Sequence, residues 1–117
     1  MAVIGNTMLI GVYEIDFQTE RIIQANQTLC DMLGYTEDEL KTTPIADFVT
    51  PDSLQLFHQR MALAKLGKRI DSKTHYTAVT RSGQLIEVEI ESFYKIEDGQ
   101  IVGALVAVRG IEPNDYS

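Results

Sequence analysis

Residues 26–40, NQTLCDMLGYTEDEL, decide the fold because they contain one complete short helix and the start of another. Leu29 and Leu33 stand four positions apart, which predicts a helix with a single apolar stripe. Gly34 follows directly and is placed to end this helix, because glycine readily adopts a positive φ. A short helix with one apolar stripe needs a sheet to pack against, so the rest of the chain should supply one.

Capping signals fix where these helices begin. Asn26 is predicted to cap the first helix, its side-chain oxygen accepting from the backbone N–H two or three residues later. Thr36 and Glu39 have the spacing of a capping box, which predicts a second helical turn over residues 37–40.

Two strands precede the helices. Residues 11–17 alternate so that Tyr13, Ile15 and Phe17 share one face, which is the period of a strand. Residues 21–25 form a second apolar run after a three-residue polar loop. The two strands are therefore predicted to pair as a hairpin.

A longer helix follows the short ones. Thr50 and Pro51 have the character of a helix N-cap and first position, and Gly67 is placed to end the helix near residue 66. Its predicted apolar stripe consists of Leu54, Phe57, Met61 and Ala64.

Three strands complete the chain, at residues 71–80, 85–94 and 101–109. No helix separates them, so they should be antiparallel neighbours. Asp98 and Gly99 form the strongest hairpin signal in the sequence. The last strand is apolar on both faces, which predicts a central strand covered on both sides. The pattern as a whole predicts an α+β fold, with a five-stranded antiparallel sheet and the helices on one face.

Composition limits the possible functions. A chain of 117 residues with 44% hydrophobic content can bury one core, so a single domain is expected. Cys30 is the only cysteine, which favours a reducing compartment and hence the cytoplasm. No apolar run reaches the roughly 20 residues of a membrane span. The formal net charge of −7 repels nucleic acid, so neither membrane contact nor nucleic-acid binding is expected.

The order and spacing of several short motifs resemble those of PAS domains. The matching motifs are Gly11-Val12-Tyr13 with Asp16, Asn26, Leu33-Gly34-Tyr35-Thr36 with Glu39-Leu40, Thr50-Pro51-Asp52, Gly83, and Asp98-Gly99 followed by Ile101-Val102-Gly103. The resemblance implies strand order 2-1-5-4-3 and a PAS-like sensor domain over residues 9–111. Residues 1–8 would then be an N-terminal stub of a capping helix, and residues 112–117 a polar tail leading to an output domain.

The resemblance also implies a role as a sensory input module that regulates an attached output domain, such as a histidine kinase, a diguanylate cyclase or a transcriptional regulator. Two interpretations stay open: a sensor that binds a small molecule in an apolar pocket, and a ligand-free interaction module with a filled core. No nucleophile and base signature or phosphate loop is present, so an enzyme is not expected. The candidate pocket residues are Ile15, Asn26, Leu29, Leu33, Phe48, Phe57, Met61, Thr74, Tyr76, Ile90 and Ser92.

The chain lacks the residue sets that tightly bound cofactors need. PAS-like photoreceptors carry a cysteine just before the long helix, where residues 45–51 have none, so a covalent flavin is not expected. His58 stands too early on the long helix for a haem ligand and is interpreted as a partly solvated residue, and His75 as a sheet-surface residue. The two histidines do not have the spacing of a metal site. The sequence therefore does not identify a cofactor, and no metal is predicted.

The outer face of the sheet predicts self-association. The helices cover only one face of the apolar last strand, so a second copy would cover the other and a homodimer is expected. Glu87, Glu89 and Glu91 form a charged row on the neighbouring strand. The contact should therefore centre on the first and last strands, at whichever of Leu105 or Val106 points outward.

Overall fold

The computed structural model describes residues 10–68 and 70–111. Along the chain lie β1 (Gly11–Asp16), β2 (Arg21–Ala25), α1 (Gln27–Leu33), α2 (Glu37–Thr42), a 3-10 turn (Ile45–Asp47), α3 (Pro51–Lys65), β3 (Lys73–Val79), β4 (Leu85–Glu97) and β5 (Gln100–Gly110). The predicted stub at residues 1–8 and the polar tail at residues 112–117 lie outside the described residues. Two strands precede the helices and three follow them, as the sequence predicts.

The strands in the described part of the chain form one antiparallel sheet in the order β2-β1-β5-β4-β3. This order confirms the expectation. Inward-facing residues of all five strands join one hydrophobic core with buried side chains of α1, α2 and α3. The helices therefore cover a single face of the sheet, and the core lies between the two layers.

The hairpin between β4 and β5 is longer than the sequence pattern suggested. β4 runs to Glu97, so its predicted end at residue 94 is wrong, whereas β5 begins at Gln100, one residue before the predicted start. Asp98 and Gly99 have φ values of 52° and 77°, the signature of a two-residue type I′ turn. Such a turn joins residues that are already paired, so the ladder must continue up to it. The other predicted ends of strands and helices agree with the structure within two residues.

Asn26 caps α1, as predicted, and also ties the helix to the sheet. Its Oδ1 accepts from the backbone N–H of Leu29 at 3.0 Å and from that of Val12 at 2.9 Å. Its Nδ2 donates to the carbonyl oxygen of Ile10 at 3.2 Å. Gly34 ends the helix at φ 84°, also as predicted. One side chain thus fixes the helix start and the edge of β1 together.

The capping box at the start of α2 is present. The Thr36 hydroxyl accepts from the N–H of Glu39, and the Glu39 carboxylate accepts from the N–H of Thr36. Arg81, from the turn after β3, donates to the same carboxylate at 2.6 Å. This contact attaches α2 to the turn between β3 and β4.

The long helix α3 is attached to β3 at its first turn. The Thr50 hydroxyl accepts from the N–H of Ser53, and the Ser53 hydroxyl accepts from the N–H of Thr77 at 2.8 Å. Gly67 follows the helix at φ 71°, the position predicted for it. Three residues of the predicted stripe are buried, namely Phe57, Met61 and Ala64, and Leu54 is half-buried. The helix therefore lies with one face on the sheet.

The outer face of β5 is open in the described chain. Val106 points inward with 2% of its surface exposed, whereas Leu105 points outward and is 47% exposed. β5 occupies the central position of the sheet, as predicted, but the expected cover on both sides is found only on the inner face among residues 10–68 and 70–111.

Candidate functional site

Two small cavities lie side by side between the helices and the inner face of the sheet. The first has a volume of about 30 Å³ and the second about 60 Å³, measured as the space open to the centre of a water molecule. Tyr13, Phe57, Tyr76 and Ile90 line both, so these side chains form the wall between them. Volumes of this size suit a few water molecules or a small molecular fragment, since a cavity needs roughly 10–15 Å³ in this measure to hold one water.

The second cavity is apolar. The elements that enclose it are α1, the segment around the 3-10 turn and the inner faces of the strands. Besides the shared wall, its lining residues are Ile22, Leu29, Leu33, Ile45, Phe48, Val49, Ala78, Val88 and Val108. A ligand in this cavity would contact aliphatic and aromatic side chains. The cavity therefore suits the apolar part of a ligand.

The first cavity is polar at one end. Arg60 of α3 and Ser92 and Tyr94 of β4 line it, together with the shared Tyr13 and Tyr76. The half-buried Arg60 guanidinium, the buried Ser92 hydroxyl and three phenols therefore meet at this end of the cavity.

Hydrogen bonds hold the arginine in place at this polar end. Arg60 Nη1 donates to the carbonyl oxygen of Asp71 at 3.0 Å, and Arg60 Nη2 donates to the Tyr94 hydroxyl at 3.1 Å. The Tyr94 hydroxyl donates in turn to the Asp71 carbonyl at 3.2 Å. These bonds close a triangle that fixes the guanidinium relative to β4.

Burial keeps the neighbouring phenols protonated. It raises the pKa of Tyr13 far above its usual range, and the nearby Tyr76 adds to the effect. Burial likewise raises the pKa of Tyr76, although the Arg60 guanidinium beside it acts in the opposite direction. Both hydroxyl groups are therefore O–H donors at any physiological pH, next to a permanent positive charge.

Nine of the eleven predicted pocket residues line the two cavities. Ile15, Met61 and Ser92 line the first, and Leu29, Leu33 and Phe48 line the second. The predicted Phe57, Tyr76 and Ile90 belong to the shared wall.

Asn26 and Thr74 line neither cavity. Asn26 is occupied with capping α1, and Thr74 is half-buried near the start of β3. Placing these two residues among the polar groups of the pocket is not supported by their positions.

Three polar residues that define the first cavity were not among the predicted pocket residues, namely Tyr13, Arg60 and Tyr94. A signal existed for Tyr13, which was already assigned to the face of β1 that carries Ile15. Arg60 stands three positions after Phe57, on the same side of α3, but the predicted stripe contained only apolar residues and Arg60 was given no role. Tyr94 was taken as the end of its strand.

The histidines and the cysteine lie away from this polar end. His58 has 57% of its side chain exposed and lies 3.8 Å from Glu20, and His75 lies 3.3 Å from Glu89 with 59% exposed. Cys30 is buried, and burial raises the pKa of its thiol. Among the described residues no group of three or more histidine, cysteine, aspartate or glutamate side chains could hold a metal ion. None of the described helices is long and apolar enough to cross a bilayer.

The architecture is that of a PAS domain: a five-stranded sheet in the order 2-1-5-4-3 with helices over one face. The family model for the PAS domain matches residues 8–111. The chain therefore belongs to the PAS domain family. PAS domains are sensory modules and generally lack enzymatic activity of their own. No curated protein matches the chain.

Solved structures with this fold include domains of proteins named as sensors. A PAS domain from Desulfitobacterium hafniense is 18% identical, with a TM-score of 0.66, covering 88% of this chain and 92% of that one. The N-terminal domain of a diguanylate cyclase with a PAS/PAC sensor from Marinobacter aquaeolei is 16% identical, with a TM-score of 0.70 and coverage of 93% and 100%. A sensory box histidine kinase/response regulator from Burkholderia thailandensis is 16% identical, with a TM-score of 0.69 and coverage of 92% and 80%. At these identities the likeness concerns the fold.

Proposed function

We propose that this domain is a sensory input module whose signal is a small molecule bound between the helices and the sheet. The observation that carries the proposal is the division of the interior into a polar cavity at Arg60 and an apolar cavity beside it. Arg60 is half-buried, and placing even part of a guanidinium against a cavity carries a desolvation cost that a core serving only stability would be expected to avoid. A ligand with a polar and an apolar part would match both ends.

The bound ligand would regulate an attached output domain. This part of the proposal is supported by the names of similar structures, which include a diguanylate cyclase and a histidine kinase/response regulator. Ligand contacts would reach β5 through Ala104 and Val106, which line the first cavity. Since β5 is the central strand, a shift there would be felt on the outer face of the sheet, from which an output domain could receive it.

Native mass spectrometry of the freshly purified domain, followed by thermal-shift screening with small metabolites, tests the sensor proposal. We expect a retained or added small molecule that raises the melting temperature. Ala78→Val narrows the second cavity and should weaken that response, whereas Ala107→Val, on the outer side of β5, should leave it unchanged. Absence of any interior ligand in both experiments would contradict the proposal.

A second function, dimerisation, is favoured by a specific observation on the outer face. Phe93 of β4 and Leu105 of β5 are direct cross-strand partners, and they are 54% and 47% exposed. Two adjacent apolar side chains of this size make a patch that a second copy of the domain could cover. Glu87, Glu89 and Glu91 stand on the same face of β4 and would keep the contact toward β1 and β5.

Leu105→Arg tests for the dimer. The sequence did not decide whether Leu105 or Val106 points outward, and Leu105 is the residue that does. We expect a folded monomer in sedimentation analysis, because a charge would have to be buried at the contact. Leu85→Arg is the matched control, since Leu85 is 61% exposed but stands at the far end of β4. An unmodified domain that is already monomeric at high concentration would refute this second function.

A further inference from the structure

The charge of Arg60 has no acidic partner in the described part of the chain. No described carboxylate lies within ion-pair distance of its guanidinium, whereas four of the other eight described lysines and arginines have such a partner. Arg81 pairs with Glu39, for example, and Arg109 pairs with Glu89. The chain contains 17 acidic residues, so a half-buried arginine without one beside it is not explained by a shortage of carboxylates.

The hydrogen bonds of Arg60 leave part of its donor capacity unused. A guanidinium carries five N–H donors. One donates to the Asp71 carbonyl and one to the Tyr94 hydroxyl, and Tyr76 is a further polar contact. At least two donors remain for another acceptor, which is the number that a carboxylate accepts in the bidentate arrangement.

Other groups around this cavity are also donors. The Tyr13 phenol and the buried Ser92 hydroxyl belong to the same lining. Phe57, Met61 and Ile90 supply the apolar contacts beside these groups. A ligand with a negatively charged acceptor group and a small apolar part could contact both the hydrogen-bond donors and the apolar side chains.

We propose that the cavity binds a small monocarboxylate, its carboxylate held by Arg60 with the hydroxyls of Tyr13 and Ser92, and its apolar part directed along the wall shared with the second cavity. This inference rests on the proposed sensor function and names the class of its ligand. The small volumes of the two cavities favour a short aliphatic or single-ring carboxylate over a long chain. Uncharged analogues of the same shape would leave the guanidinium without a counter-charge.

The test is a titration of the isotopically labelled domain by NMR with propionate and benzoate, each compared with its neutral amide, propionamide or benzamide, at constant ionic strength. We expect the carboxylates to shift the Arg60 side-chain resonance and the backbone amides of Ser92 and Tyr94 in a saturable manner. The amides should bind about ten to a hundred times more weakly, as expected when one charge-assisted interaction is lost.

Variants then assign the selectivity to the arginine. Arg60→Gln should remove the preference for the carboxylate over the amide, and Arg60→Lys should keep part of it. Arg81→Gln is the matched control, because Arg81 lies on the surface, paired with Glu39 and stacked on the Tyr35 ring. If Arg60→Gln fails to fold, the comparison of carboxylate and amide on the unmodified domain still decides the question.

The outcomes separate this inference from the function on which it rests. Equal binding of carboxylate and amide at the interior resonances would overturn the charge selectivity and leave the sensor function standing. Carboxylate shifts that are confined to the surface, or that disappear in Arg81→Gln, would overturn the inference as adventitious binding. If none of the four probes binds the interior, the inference fails, and the metabolite screen then decides the sensor function independently.

Discussion

Replacing Asn26 with alanine should lower the free energy of unfolding by about 2 kcal/mol. An N-cap contributes about 1 kcal/mol when the side chain serves a helix alone. Here the same side chain also accepts from the N–H of Val12 and donates to the carbonyl of Ile10. Each further bond adds roughly 0.5 kcal/mol, at the low end of the usual range because both bonds are solvent-exposed.

Asn26→Asp is the informative control for this substitution. An aspartate keeps an oxygen for the N–H groups of Leu29 and Val12, but it has no N–H to offer Ile10. We therefore expect it to lose well under half of the stability that alanine loses. Chemical denaturation gives the unfolding free energies, and a loss of about 2 kcal/mol corresponds to roughly 8 °C or more in melting temperature for a domain of this size.

Hydrogen exchange isolates the contact between the helix cap and the sheet. The amide proton of Val12 should exchange faster in Asn26→Ala than in Asn26→Asp, because only the alanine variant removes its acceptor. An alanine variant as stable as the aspartate variant, with unchanged exchange at Val12, would refute the assignment of Asn26 as a link between α1 and β1.

Two other predictions concern stability. Gly103→Ala should lower the free energy of unfolding by about 2 kcal/mol or more, because a Cβ at this position would lie 2.6 Å from the carbonyl oxygen of Ile15. Gly110→Ala is the control, since its Cβ would have open space around it, and it should leave the free energy of unfolding nearly unchanged in the same denaturation assay. Comparable losses in both variants would contradict the steric argument. The pKa of Glu39 is lowered from its ordinary 4.5 by hydrogen bonding to the α2 N-cap backbone and to Arg81, so its contribution to stability is complete above that value and is lost as the pH falls below it. Arg81→Gln should therefore flatten the acid limb of a stability–pH curve, and an unchanged slope would refute the assignment.

Local sequence rules accounted for most of the backbone. The caps at Asn26, Thr36 and Thr50 and the glycines that end α1 and α3 were all predictable, because each depends on hydrogen bonds within a few residues. The true length of the β4–β5 hairpin was also accessible, since a two-residue turn at Asp98 and Gly99 requires paired strands on both sides. The order of the strands came from the family resemblance, because pairing between distant strands leaves no local trace.

The candidate site depended on tertiary structure to a greater degree. Periodicity placed apolar residues such as Ile15, Phe57 and Ile90 on the inner face, where they line the cavities. It could not place Arg60, because a polar residue at the border of a helical stripe faces solvent or core according to what lies opposite.

The sequence alone thus determined the elements, their caps and turns, and the core-facing side of every element whose two faces differ in polarity. Tertiary structure decided which side chains from α3, β1, β3, β4 and β5 meet around the cavity, and that Leu105 rather than Val106 faces outward. The physical reason is the distance along the sequence between the residues that interact. Helix caps and turns are specified by neighbouring residues, whereas a cavity exists only where segments distant in the sequence pack and leave space between them.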